Sequence, residues 1–454
     1  MAFMLSKYDT EQKKRQEGQG LSQELLKQLE THLNPLLVWL DTMLDKRLVK
    51  TLLLSIVAII QFRNPTQGLL LSELGAYITN PSQAPAGTKR VSNLLRSEKW
   101  SASHLEEYIA SIGERKVEEL KGRGEEALCI WDGSVIEKPE STMLEGLGPV
   151  KSSKAKRRNR TRKGVFNKPA GKPVVVMGME WTGILIAGMR GIPEVLKMHW
   201  WTRKGKYASK QREEEKKILL WLTGLYGEKL LHIFDRGYAG APWLQELLEH
   251  ETRFVLRWVG HHLFFDAQGV EKKLWQIALG KRPWGSKEVY DAVKQCTVKA
   301  GVFALPVRHA AYACPLWLVV VRRKGSSWYL ITNEPVETEK QAWKIVFAYM
   351  RRWQIEMSFR YGKSELAMES PRVWSWENRK KLLALVTLAY QFLLSLLSPQ
   401  QKDRKENILR LFCHRTGKRC RTTSAPLYRL RWAMSRLWLD YRPTFSFFFL
   451  QNSG

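Results

Sequence analysis

Between residues 127 and 259, short apolar runs alternate with longer amphipathic stretches, and that alternation limits the chain to few folds. The runs ALCIWDGSVIEK, KPVVVMGMEW, ILIAGM, LLHIFDRGY and RFVLRWV are rich in β-branched and aromatic residues and short enough to be strands. Between them, SKQREEEKKILLWLTGLYG and APWLQELLEH repeat apolar residues three and four positions apart, as helices do. Strand and helix in turn predict an α/β fold with its sheet buried under helices. A tight turn is expected at Thr182-Gly183, between the second and third runs.

Two of the runs end alike. CIWDG closes on Asp132 and Gly133, and HIFDRG on Asp235 and Gly237. A carboxylate at the C-terminal tip of a strand stands at the mouth of a sheet, where α/β folds place chemistry. The glycine lets the chain turn away without steric cost. Each aspartate by itself reads equally as a turn-forming or helix-capping residue.

The flanks have a different texture. Residues 1–125 read as helical, with QELLKQLETHLNPLLVWLDTMLDKRLVKTLLLSIVAII carrying the helical period. NPSQAPAGT reads as a loop, and KRVSNLLRSEKW after it as a short basic helix, either a DNA-groove element or a solvated face. Residues 260–335 hold the β-like pieces YDAVKQCTVKA, PLWLVVVRR and SSWYLITNE and read as a β-rich insertion. One long helix is expected from Glu337 to Glu369, with RKKLLALVTLAYQFLLSLL packed behind it and a basic helical region from 399 to 454. The predicted divisions are therefore 1–125, 126–259, 260–335, 336–398 and 399–454.

Charge narrows the partner. The 454 residues carry 74 Lys and Arg against 44 Asp and Glu, a formal charge of +30. Such an excess predicts a polyanion, nucleic acid before a membrane surface. The longest apolar run, LVKTLLLSIVAIIQF, falls short of the roughly 20 residues that span a bilayer. No leader pattern opens the chain, and five widely spaced cysteines suit a reducing cytoplasm. Cys413-His414 with Cys420 lacks the second pair that a zinc site needs. Residues 151–172 hold ten Lys or Arg and no acid, among them Lys156, Arg157, Arg158, Arg160, Arg162 and Lys163. They read as a phosphate-gripping arm or as a solvated insertion.

The predicted long helix contains YMRRWQIEMSFRYGK, basic and aromatic around a lone acid, Glu356. On a continuous helix Tyr349, Arg352, Glu356 and Lys363 fall within an arc of about 60°, with Trp353 beside them. A solvated ion-pair face has the same spacing. With Asp132 and Asp235 added, the set gains specificity. Three converging carboxylates need positive charge between them, and Mg²⁺ takes carboxylates, waters and phosphate oxygens. Two such ions serve phosphodiester displacement. Without metal and DNA the acids should repel one another and leave the site loose.

Asp132, Asp235 and Glu356 resemble the acidic triad of DDE cut-and-paste transposases, whose catalytic domain is ribonuclease H-like. Tyr349, Arg352, Glu356 and Lys363 match the Y-x2-R-x3-E-x6-K signature of the bacterial type-4 insertion-sequence family, and FDRGY resembles its second-aspartate motif. The likeness spans roughly residues 125–390. It implies a mixed five-stranded sheet in a catalytic domain (126–259 and 336–398) split by the insertion (260–335), with a helical DNA-binding domain before it (1–125) and a basic helical region after it (399–454). It implies metal-dependent hydrolysis and transesterification at transposon ends, a hairpin intermediate and strand transfer into target DNA. Two Mg²⁺ ions, with Mn²⁺ as a substitute, would sit on the triad of a homodimer acting on double-stranded DNA near the bacterial nucleoid. Tyr349, Arg352 and Lys363 would contact phosphates, and Trp353 would stack on a displaced base. Trp317 or Trp328 would probe that base from the insertion, although each reads more readily as a core aromatic. A catalytically inactive, element-derived DNA-binding protein and a metal nuclease of the same fold stay open.

Overall fold

The computed structural model describes residues 2–141, 143–152, 160–162, 165–166, 174–291, 296–413 and 427–445, with backbone alone for 2–14, 160–162 and 165–166. The first five elements are helices: α1 (Ala2–Asp41), α2 (Lys46–Gln61), α3 (Leu71–Ile78), α4 (Ala84–Arg96) and α5 (Ala102–Gly122). Asp45 starts α2 by accepting from the backbone N–H of Arg47 and Leu48. The predicted loop at NPSQAPAGT is shorter than expected. Asn80 caps a single turn at 81–83, and α4 begins at Ala84 with Pro85 in its first turn, where a missing N–H costs nothing.

The strands are β1 (Ala127–Glu137), β2 (Gly148–Lys151), β3 (Arg160–Arg162), β4 (Val165–Phe166), β5 (Val175–Ala187), β6 (Glu194–Trp201), β7 (Leu230–Phe234), β8 (Phe254–Trp258), β9 (Leu263–Phe265), β10 (Glu271–Lys273), β11 (Gly285–Asp291), β12 (Cys296–His309), β13 (Pro315–Arg323) and β14 (Ser326–Thr332). Helices α6 (Gln211–Tyr226), α7 (Ala241–Glu249) and α8 (Leu274–Ile277) lie among them. After the strands come α9 (Glu339–Met350), α10 (Trp353–Ser364), α11 (Trp376–Ser395), α12 (Lys402–Phe412) and α13 (Leu427–Asp440).

Twelve strands form one mixed sheet in the order β10-β9-β12-β13-β14-β8-β7-β1-β5-β2, with β6 on β5 and β11 on β12. At its centre β1, β7 and β8 run parallel, while β5 is antiparallel to β1 and β6 to β5. The predicted insertion supplies strands to this sheet. Its strand β14 pairs with β8 and extends the central strands.

Three expectations are corrected. β1 does not end at Asp132 but runs on to Glu137, because β5 keeps pairing with it. β5 is one strand through Thr182 and Gly183, with Gly183 directly opposite Asp132. The long helix is broken: α9 stops at Met350 and α10 starts at Trp353. At the join the N–H groups of Arg352, Gln354 and Ile355 donate to carbonyls three residues back, at 3.0, 3.0 and 3.1 Å, a tighter winding than α. Arg351 holds the join from outside, its guanidinium donating to the Gly191 carbonyl at 2.6 Å.

Residues alternate between two apolar layers. Leu128 and Ile130 of β1 enter one core with α1, α2, α9, α10 and α11, while Ala127, Cys129 and Trp131 enter another with α6 and α7. The N-terminal helices thus share a core with the sheet. Among the described residues no single helix is long and apolar enough to cross a membrane, and α11 is mostly buried.

Candidate active site

Period-two alternation sets Asp132 on the face of Leu128 and Ile130, the face on which α10 packs. The parallel ladder between β1 and β7 ends at Ile130 and Ile233. Asp132 and Asp235 each lie two residues beyond that last pair, so both stand where the two strands part. Asp235 follows β7 directly, and its carboxylate accepts from the Gly237 N–H at 2.6 Å.

The missing side chain at Gly183 brings the helix down. A Cβ there would lie 2.8 Å from Phe359 and 3.3 Å from Ile355, both on α10. Glycine opposite Asp132 therefore lets α10 settle against the sheet, and Glu356 in its first turn comes with it. Arg352, one turn earlier, donates to Asp132 Oδ2 at 2.8 Å and also to Glu356 Oε1.

The electrostatics follow from this crowding. Burial pushes the Asp132 carboxyl up to about 7; Arg352 and the Gly133 N–H oppose the rise, and the charges of Asp235 and Glu356 add to it. Burial disfavours a charged Arg352, but Tyr349, Asp132 and Glu356 outweigh that cost and hold it protonated.

A second layer braces the Asp235 side. Glu215 of α6 is fully buried and accepts from Gln211 Nε2 at 2.8 Å and from Arg212 at 2.8 Å. Arg212 also donates to the Gly237 carbonyl at 2.9 Å and lies over the rings of Tyr238 and Trp243. The sequence marked Gly183 only as a turn, and Arg212 and Glu215 not at all. Glu215 had a signal: it shares the helix face of Ile218, Leu219 and Leu222, where an acid is out of place.

The other predicted site residues are scattered in role. Tyr349 is buried, its ring edge-on to Trp328 at 5.5 Å. The break at Arg351 removes the continuous helix on which the Tyr349-to-Lys363 stripe was reckoned. Trp353 and Lys363 are half-buried. The ring of Trp328 has the guanidinium groups of Arg323, at 4.1 Å, and Arg257, at 5.7 Å, over it. Trp317 is half-buried against the core. Arg160 and Arg162 fall in β3, paired with β4, while Lys156, Arg157, Arg158 and Lys163 lie outside the described residues. So do His414 and Cys420.

Among the described residues, no three or more Asp, Glu, His or Cys side chains are gathered to hold a metal ion. The loose, self-repelling site expected without metal is not what forms. Asp132 and Glu356 converge on one positive charge, the Arg352 guanidinium, which stands in for a cation. As hard oxygen donors they suit a divalent ion in kind, once Arg352 has turned aside.

Asp132 and Asp235 thus stand where the central parallel strands part, the end of an α/β sheet at which ligands bind. The family model of the transposase DDE domain matches residues 211–392, less than half of the chain. The match takes in Asp235 and Glu356 and leaves Asp132 outside. Among solved structures, the chain is similar to the piggyBac transposase seen by cryo-EM in a synaptic complex with hairpin DNA. That likeness has a TM-score of 0.41 and 12% identity over 90% of this chain and 76% of the other, a level that supports no conclusion about function.

Proposed function

We propose that this protein is a cut-and-paste DNA transposase of the type-4 insertion-sequence kind, with Asp132, Asp235 and Glu356 as its catalytic acids. One observation carries the reading: Asp132 and Glu356, more than two hundred positions apart, share one guanidinium while Asp235 lies close enough to raise the Asp132 pKa. The transposase-domain match over 211–392 supports it. So does the central strand order β6-β5-β1-β7-β8, with β1, β7 and β8 parallel, which suits a ribonuclease H-like core.

Mg²⁺ is the cofactor these oxygen donors suit, two ions with Mn²⁺ as a substitute, supplying charge stabilisation to a displacement at phosphorus. The chain's own part is positional. Asp132 and Asp235 present oxygens from adjacent strands, Glu356 completes the set from α10, and Arg352 moves to a phosphate once its carboxylates are otherwise neutralised. Water breaks the P–O3′ bond at a transposon end, leaving a 3′-OH and a 5′-phosphate. The 3′-OH then attacks the opposite strand to give a hairpin, whose opening frees it to join target DNA. A homodimer would hold two ends together, in the bacterial cytoplasm at the nucleoid.

The test is Mg²⁺-dependent cleavage of duplexes from the DNA flanking the gene, read on denaturing gels. Asp132→Ala should abolish cleavage and keep DNA binding. Hairpins and joined products mark a transposase; plain cut ends mark a metal nuclease. A second reading, a non-catalytic DNA-binding derivative, is favoured by the Arg352 guanidinium bound to both Asp132 and Glu356. Binding without any cleavage by the unaltered chain would select it.

A further inference from the structure

The two strand-tip aspartates are oriented in the same way, each by a glycine that follows it. The Gly133 N–H donates to Asp132 Oδ1 at 2.8 Å, and the Gly237 N–H to Asp235 Oδ1 at 2.6 Å. Each bond commits one oxygen of its carboxylate and so fixes the direction of the other. Behind both glycines stands the first turn of α6. The nearest atom to a Cβ built on Gly133 is Gln211 Nε2, at 3.9 Å. Its neighbour Arg212 donates to the Gly237 carbonyl at 2.9 Å. Both residues also donate to Glu215, one turn on: Gln211 to Oε1 and Arg212 to Oε2, each at 2.8 Å.

Packing does not explain Glu215. Taking a carboxylate out of water is costly, and a leucine on the same helix face would join Ile218, Leu219 and Leu222 without that cost. Nor is the acid needed to hold α6 down. Glu214 pairs with His199 of β6 at 2.7 Å and with Lys217 at 2.8 Å, and Lys216 reaches Glu246 of α7 at 2.7 Å. What Glu215 supplies is a fixed anchor for two donors that abut the two glycines. Arg212 shows the effect most plainly. Its side chain is 47% exposed, yet it lies over the rings of Tyr238 and Trp243 with one nitrogen on Glu215 and another on Gly237. An exposed arginine left to itself samples many rotamers, and two hydrogen bonds to fixed acceptors remove that freedom.

We infer that Glu215 is a positioning residue for the divalent-ion site: through Arg212 it fixes the Gly237 backbone that orients Asp235, and through Gln211 it backs the Gly133 backbone that orients Asp132. Being fully buried, it acts only through these neighbours. Groups that hold a ligand from behind set its direction, and losing one costs about 10- to 100-fold in metal affinity. The inference rests on the proposed assignment of the acids. It names a residue outside the triad that governs how tightly the triad holds its ion.

Glu215→Gln keeps the shape and an acceptor for Gln211 but removes the charge that holds Arg212. In the full chain, the Mg²⁺ concentration for half-maximal cleavage of the flanking-DNA duplexes should rise about ten-fold, with the rate at saturating Mg²⁺ within about two-fold of the unaltered value. Mn²⁺ binding to the same chain without DNA, read from the free-ion signal in electron paramagnetic resonance, should weaken by the same factor. Arg212→Lys keeps the charge without the fork and should do likewise; the double variant should lose no more than either single one. Arg212 is half exposed, so this arm stands even if glutamine at 215 unfolds the chain. The urea midpoint of Glu215→Gln without metal should not fall, because an amide is less costly to bury than a carboxylate. Lys216→Ala, on the same helix, should move none of these readouts. A lower midpoint with unchanged Mn²⁺ binding makes Glu215 merely structural and overturns the inference while the triad stands. Additive losses in the double variant overturn the route through Arg212. If Asp235→Ala binds Mn²⁺ as tightly as the unaltered chain, the acid assignment itself falls, and this inference with it.

Discussion

The Arg352 guanidinium donates to Asp132 Oδ2 at 2.8 Å although the two residues stand 220 positions apart in the chain. The same group reaches Glu356, so one cation holds two acids together. Removing it should do more than delete a charge. Arg352→Gln leaves two carboxylates facing each other in a partly buried site, at a cost of about 2 kcal/mol in chemical denaturation without divalent ions. Added Mg²⁺ should raise the unfolding midpoint of the variant more than that of the unaltered protein. Equal stabilisation of both by Mg²⁺ would show that the guanidinium and the cation do not compete.

Gly183 should be intolerant of any side chain. Gly183→Val drives a branched group into Phe359 and Ile355, which a packed helix cannot avoid without lifting. Stability should fall by about 1–3 kcal/mol and cleavage should be lost, while the valine itself is a good strand residue. Unchanged denaturant midpoints would refute the close approach.

Tyr349 offers a way to separate packing from DNA contact. Its ring is buried against Trp328. Tyr349→Phe should leave the denaturation midpoint nearly unchanged, and Tyr349→Ala should cost about 3 kcal/mol. If Tyr349→Phe also leaves cleavage intact, the hydroxyl contacts no phosphate.

Acid should destabilise the fold through His232. Burial pulls its pKa down to about 3, and its Nδ1 accepts from Trp131 Nε1 at 3.0 Å, which requires the neutral ring. The unfolded chain takes up a proton near the ordinary 6.5 and the folded one does not. Stability is therefore full above about 6.5 and falls toward 3, by at most about 1.4 kcal/mol per pH unit for this group. His232→Gln should lessen the change in urea midpoint between pH 7 and pH 5.

The strands and most helices were legible from the sequence because local patterning governs them. The run LLHIFDRGY ends as β7 with Asp235 at its tip, where the turn Arg236–Tyr238, capped by Asp235 itself, takes the chain out of the sheet. CIWDG looked the same, yet β1 runs on to Glu137, because the antiparallel partner that extends it lies some fifty residues away. Gly183 carries the signal of a turn in sequence and acts as a point of close approach in space. The break at Arg351 has neither proline nor glycine to announce it; the carbonyl that holds Arg351 belongs to Gly191, on another part of the chain.

By itself, then, the order of residues determined the α/β class, the excess of positive charge and the identity of three acids worth watching. Charge and hydrophobic period are properties of the chain and survive any fold. Only tertiary structure decided that Asp132 and Glu356 meet across a guanidinium, that Tyr349 turns inward, and that the strands after β8 extend the sheet. Those outcomes depend on register, on helix approach and on burial, and each is set by contacts between residues the chain keeps far apart.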